Sequence, residues 1–168
     1  MAQLIKNGVA ASDSWQILEL AEGESPEAIA LPDGDVIFPL AVWLARKDEI
    51  LSRPTIGLLL QPADRVEDIA GELASFALIA VNFPKFVDGR GYSTAALLRQ
   101  RYGYTGELRA VGDVLHDQLF FMRRVGFDSY ALKDGKSLDY AIAAGFKPFT
   151  EAYQGATDQA QPYFRRRA

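Results

Sequence analysis

Short apolar runs that alternate with helical spacing predict an α/β chain built on a parallel sheet. Three observations carry this. Strand-like runs begin at Thr55, Leu78, Glu107, Asp128 and Phe149, giving about five strands in this region. Between them, apolar residues recur on one helix face. Glycines at 103, 126 and 145 stand where those helices must stop. Crossovers in such a sheet are right-handed, with helices covering the strands. A complete eight-fold barrel needs about 250 residues, more than the 168 available. Two architectures remain open: a doubly wound open sheet and a partial barrel resembling part of a TIM barrel.

The elements follow in order. Residues 1–53 read as a lead-in arm packed on the rest. Within it, Trp15–Leu20 suits a strand, Pro32-Asp33-Gly34-Asp35 a turn and Val36–Leu40 a second short strand. Leu40, Trp43, Leu44, Lys47 and Leu51 then suit a short amphipathic helix. Residues 54–154 form the βα-repeat domain. Thr55–Leu60 is the first strand; Asp64, with Glu67 three positions on, reads as the cap of a helix carrying Val66, Ile69, Ala70, Leu73 and Ala74. Leu78–Val81 is the second strand, followed by a helix from Tyr92 or Ser93 that ends at Gly103. Glu107–Val111 is the third, and Asp113 reads as the cap of a helix bearing Leu115, Leu119 and Met122. Asp128–Leu132, the helix Ser137–Ala144 and a last strand Phe149–Tyr153 complete the domain, and 155–168 is a polar tail with a frayed basic end at Arg165-Arg166-Arg167.

Composition narrows the chemistry. With no cysteine, the chain holds no disulfide, no thiol nucleophile and no Cys-ligated iron–sulfur cluster. A single histidine rules out a His-rich metal site, so no metal is expected. Eighteen Lys and Arg against 22 Asp and Glu give a net charge of −4, and no nucleic-acid partner is expected. No apolar stretch approaches the roughly 20 residues of a membrane span, so a cytoplasmic protein without membrane contact is expected.

Ligands of parallel α/β sheets bind beyond the carboxyl ends of the strands. Gln61 and Asp64 follow the first strand, and Asn82, Lys85, Asp88, Arg90, Tyr92 and Ser93 the second. Asp113, His116, Asp117 and Gln118 follow the third. The loop 82–93 places Arg90 between Gly89 and Gly91 at a helix start, where backbone N–H groups and a guanidinium suit an oxyanion. The competing reading is a plain turn with Arg90 paired to Asp88. His116 follows Asp113 by three positions; it is either a neutral donor at the site or a surface histidine. Arg109 lies inside a strand, so it must be paired, with Glu107 or Asp113, or face a polar pocket. The candidate ligand residues are Asp88, Arg90, Tyr92, Ser93, Arg109, Asp113, His116, Asp117 and Gln118; none is assigned a catalytic role.

The strings Phe86-Val87-Asp88-Gly89-Arg90-Gly91-Tyr92-Ser93, Leu97-Leu98-Arg99, Gly106-Glu107-Leu108-Arg109-Ala110-Val111-Gly112-Asp113 and Arg124-Val125-Gly126-Phe127-Asp128 resemble the bacterial domain of unknown function 934 family. The likeness runs from about Trp15 to Gln154. Proteins of this kind are commonly labelled oxidoreductases involved in sulfite reduction. The resemblance therefore implies a sulfur-assimilation protein that binds an anionic ligand or a phosphate-bearing cofactor. The alternative is a non-catalytic accessory protein docking on sulfite reductase or another assimilation enzyme, with Phe86, Tyr92 and Tyr104 as interface anchors. A flavin or nicotinamide is compatible with the residues, and a homodimer is expected because open sheet edges need covering.

Overall fold

The structure, a computed structural model, describes residues 2–147, 149 and 151–166. One sheet of eight strands organises them: β1 (Ala2–Lys6), β2 (Val9–Asp13), β3 (Gln16–Ile17), β4 (Val36–Pro39), β5 (Gly57–Leu60), β6 (Leu78–Phe83), β7 (Glu107–Gly112) and β8 (Ser129–Tyr130). The spatial order is β2-β1-β8-β7-β6-β5-β4-β3. From β3 to β8 every neighbour is parallel and consecutive in the chain. The hairpin β1–β2 adds to the β8 side, antiparallel.

This order decides between the two architectures. A doubly wound sheet reverses its strand order at a switch point. Here the parallel strands never reverse, so right-handed crossovers stack the helices on one face and the sheet curls into a half-barrel. Eight strands replace the five expected, and four of them come from residues 2–53. Two of these, β3 and β4, fall within the expected strands Trp15–Leu20 and Val36–Leu40; the β1–β2 hairpin carries the weak signal, β2 reading Val-Ala-Ala-Ser-Asp with little β-branched character. Only Ser14 and Trp15 separate β2 from β3, although these are the two edges of the sheet. The chain thus bridges the rim of the half-barrel. Trp15 packs inside it, and a Cβ at Gly57 would lie 2.9 Å from its ring and 2.9 Å from Ile37 Cγ1. Glycine is what lets β5 pass beneath the indole.

Both sheet faces are buried, which explains the near-continuous apolar runs. Val36, Phe38, Leu58, Leu60, Ile79, Val81, Phe83 and Leu108 face the helical layer, under Trp43, Leu98 and Met122. Ile37, Leu59, Leu78, Ala80 and Val111 fill the concave side, with Trp15 against them. The helical layer is made of short pieces: α1 (Leu40–Ala45), α2 (Lys47–Ile50), α3 (Arg90–Ala96), α4 (Leu119–Val125), α5 (Leu138–Ala144) and α6 (Tyr163–Arg166). The last turn of α3 widens to a π-helix at Leu97–Arg101 before Gly103, which takes the left-handed φ of 66°.

Four segments differ from their sequence reading. The helix expected after Asp64 is two 3₁₀ turns, Val66–Ile69 and Leu73–Ser75. Asp64 turns its carboxylate back onto the Gln61 N–H instead of capping a helix, and Gly71 interrupts the run. Asp113 does not cap α4 either; a 3₁₀ turn, His116–Gln118, intervenes, and the Gln118 side-chain Oε1 accepts the Leu115 N–H. Of the last expected strand, Thr150 lies outside the described residues, and Phe149 and 151–153 form no strand. Of the basic end, Arg167 lies outside them too; Arg165 and Arg166 sit on α6, and Arg166 pairs with Glu151 at 2.8 Å.

Candidate functional site

The carboxyl ends of β3 to β7 surround a cleft of about 760 Å³, in the range of small-molecule sites. Its walls are mostly apolar, with Leu18, Leu20, Leu40, Leu59 and Val111 among them. Four polar side chains line it: Glu19, Gln61, Asp64 and Asn82. The last three form one chain of contacts. Asn82 Nδ2 donates to Gln61 Oε1 at 2.7 Å, and the Gln61 N–H donates to Asp64 Oδ2 at 2.7 Å. Each amide keeps capacity beyond this bond, donors on Gln61 and an acceptor on Asn82. Burial pushes the Asp64 carboxyl above its ordinary range; the Gln61 N–H opposes this and the Asp68 charge adds to it. Among the described residues, no lysine, arginine or histidine lines the cleft.

Backbone geometry fixes Asn82. Gly112 closes β7 with φ 95°, a left-handed value that favours glycine. A Cβ there would stand 2.5 Å from Asn82 Oδ1 and 2.5 Å from the Phe83 carbonyl oxygen. The absent side chain is therefore what admits the amide at the rim.

None of the candidate residues named from the sequence lines this cleft. Arg90 and Asp88 pair with one another: Arg90 Nη2 lies 2.7 Å from Asp88 Oδ2, and Asp88 Oδ1 accepts the Arg90 N–H at 3.2 Å. The Arg90 bond holds the Asp88 carboxyl below its usual range. Ser93 lies exposed on α3. Tyr92 is half-buried, edge-on to Phe83. Burial raises its hydroxyl pKa, the Asp117 charge adds to this, and a hydrogen bond with Gln118 opposes it. Tyr92, Asp117 and Gln118 are thus brought together. Asp113 accepts the Phe86 N–H at 3.2 Å and pairs with Lys133 at 2.8 Å, which lowers its pKa. His116 stacks edge-on against Tyr140.

Arg109 is 4% exposed and fully engaged. Its Nη1 donates to both Asp13 carboxylate oxygens at 2.9 Å, and its Nη2 to Glu107 at 2.8 Å. Ser129 and Lys6 also donate to Glu107. Burial would raise the Glu107 pKa, but the bonds from Lys6, Ser129 and Arg109 outweigh it and hold the carboxyl below its ordinary value. This network ties β7 and β8 to the β1–β2 hairpin. Other motif residues are structural in the same way. Arg99 donates to the carbonyls of Tyr104, Gly106 and Gly126 and pairs with Asp128 at 2.9 Å. Gly91 lies under the Phe83 ring, where a Cβ would stand 2.6 Å from it. Tyr104 is buried rather than exposed, its hydroxyl donating to the Phe76 carbonyl at 3.1 Å.

Gln61, Asp64 and Asn82 are readable from the strand-end rule alone. Charge and motif strength point elsewhere, to Arg90 and Arg109, whose guanidiniums are already occupied.

Fold and cleft define a half-barrel α/β protein with a small-molecule-sized mouth. The chain belongs to the family described as bacterial protein of unknown function (DUF934), whose sequence profile matches residues 57–164, from β5 into α6. No curated protein and no solved structure matches it. Among the described residues no helix is long and apolar enough to cross a membrane, and no group of three or more His, Cys, Asp or Glu side chains is placed to hold a metal ion.

Proposed function

We propose that this protein binds a small, largely uncharged ligand in the mouth of the half-barrel, and that it serves sulfite reduction through that ligand. The observation that supports this reading is the convergence of Gln61, Asp64 and Asn82, from two successive strand ends, on one apolar-walled cleft. Neutral amide groups orient a ligand by paired donor and acceptor bonds. A bare anion would meet Asp64 and Glu19 there and no cation among the described residues, so a free oxyanion is a poor fit to this cleft. The ring of a flavin or nicotinamide, with an amide or imide edge, matches it better.

Calorimetry with nicotinamide, riboflavin and sodium sulfite as probes tests this. One of the two heteroaromatics binds the wild type, and Asn82→Leu weakens it at least tenfold. Failure of both to bind a folded wild type, or binding untouched by Asn82→Leu, overturns the reading.

A second reading is a supporting role at a sulfite-reducing enzyme, without chemistry of its own. Phe86 and Val87, 48% and 85% exposed on the loop after β6, support it as partner contacts. Co-purification with tagged protein should recover an assimilation enzyme and lose it in Phe86→Ser/Val87→Ser. A homodimer belongs to the same set of proposals and is measured by light scattering.

A further inference from the structure

We propose that a second pocket, on the far side of α4 from the sheet, is a binding site for a small oxyanion such as sulfate or phosphate. The segment after α5 packs back on α4 here. Thr157 N–H donates to the Arg124 carbonyl at 3.0 Å, and Arg124 Nη2 donates to the Gln154 carbonyl. Between them lies a polar pocket of about 180 Å³, lined by three arginines, 123, 124 and 166, and by two acids, Glu151 and Asp158.

Charge and unmet hydrogen bonds identify the ligand. Arg124 pairs with Asp158 at 3.2 Å and Arg166 with Glu151 at 2.8 Å. Arg123 has no carboxylate partner among the described residues; it donates to the Phe146 carbonyl at 3.2 Å and rests against the Phe120 and Phe146 rings. The pocket therefore carries one positive charge in excess. The Arg123 guanidinium, exposed at the pocket and donating one hydrogen bond among the described residues, keeps N–H groups free for an oxygen bearing negative charge. A cation is repelled by the excess charge, and a neutral ligand leaves it unbalanced. The volume falls below that of drug-sized sites, which limits the occupant to the oxyanion group itself. This site owes nothing to the mouth cleft: the two share no lining residue.

Titration calorimetry at low ionic strength, with sodium sulfate, sodium phosphate and O-phosphoserine against sodium chloride, tests the proposal. Sulfate or phosphate binds and chloride at equal ionic strength does not; phosphoserine binding as well extends the site to oxyanions carried on a larger molecule. Arg166→Gln and Arg123→Gln each weaken binding at least fivefold, while Arg165→Gln, a neighbour outside the pocket, leaves it unchanged. Glu151→Gln removes the acid that competes for Arg166 and tightens binding, which a merely structural role for the Arg166–Glu151 pair would not produce. Circular dichroism verifies folding of each variant. The proposal fails if sulfate and phosphate behave as chloride does, or if Arg166→Gln and Arg123→Gln bind like Arg165→Gln.

Discussion

Replacing Arg109 by methionine tests the interior network most directly. The side chain is 4% exposed and neutralises two carboxylates, Asp13 and Glu107, themselves 13% and 11% exposed. Methionine keeps much of the volume but leaves Asp13 without its cation and Glu107 with only Lys6 and Ser129. Breaking one partner from a buried ion pair costs about 3–5 kcal/mol, because the remaining charge stays desolvated. For a chain of this length each kcal/mol moves Tm by roughly 2–4 °C, so a fall of about 6–20 °C is expected. The sign with pH is also set. Glu107 titrates below its ordinary value of 4.5 in the folded protein, so its contribution is present above that value and is lost as pH falls through the lowered one. Arg109→Met reduces that contribution, so the variant loses less stability than the wild type on acidification through this window. Adding Asp13→Asn and Glu107→Gln to Arg109→Met removes the stranded charges and recovers part of the loss. Scanning calorimetry across pH 3–7 measures all of this. A single variant within about 1 kcal/mol of the wild type would refute the reasoning, since no buried interior pair is that cheap to break.

Further outcomes are expected. Gly112→Ala forces a left-handed backbone onto alanine and pushes a methyl into the Phe83 carbonyl; it costs about 2–4 kcal/mol in chemical denaturation and, under the proposed function, abolishes binding in the mouth by displacing Asn82. Gly91→Ala is destabilising as well, although alanine is the better helix former by about 1 kcal/mol, because its methyl meets the Phe83 ring. Asp64→Asn raises Tm at neutral pH. The folded Asp64 pKa is raised, so its penalty is full above that raised value and gone below the ordinary value of 3.8, and the advantage of the variant fades over that window. Arg90→Ala barely moves Tm, since its pair with Asp88 is on the surface.

Much of the site's position was legible in the sequence, and little of its chemistry. Strand ends at Leu60 and Val81 follow from apolar runs, and the rule for parallel sheets then places Gln61, Asp64 and Asn82 at the rim, although β6 runs on to Phe83. What the sequence leaves open is which polar groups are already satisfied. Arg90 two positions from Asp88 admits either an anion site or a local pair, and only coordinates distinguish them. Arg109 was readable as paired with Glu107 or Asp113; it takes Glu107, while Asp113 pairs with Lys133, and its other partner, Asp13, is 96 positions away and has no local signature. The pocket of Arg123, Arg124 and Arg166 is invisible for the same reason.

By itself the sequence determined the alternation of strands and helices, through hydrophobic periodicity and glycine stops, and with it a parallel sheet. It also fixed what the chain cannot do without cysteine. Tertiary structure alone decided that the strand order never reverses, that four strands from residues 2–53 join the same sheet, and that no cation among the described residues lines the mouth. The physical reason is range. Periodicity is a property of neighbours in sequence. Strand order, edge pairing and the neutralisation of a buried charge depend on groups brought together from distant parts of the chain.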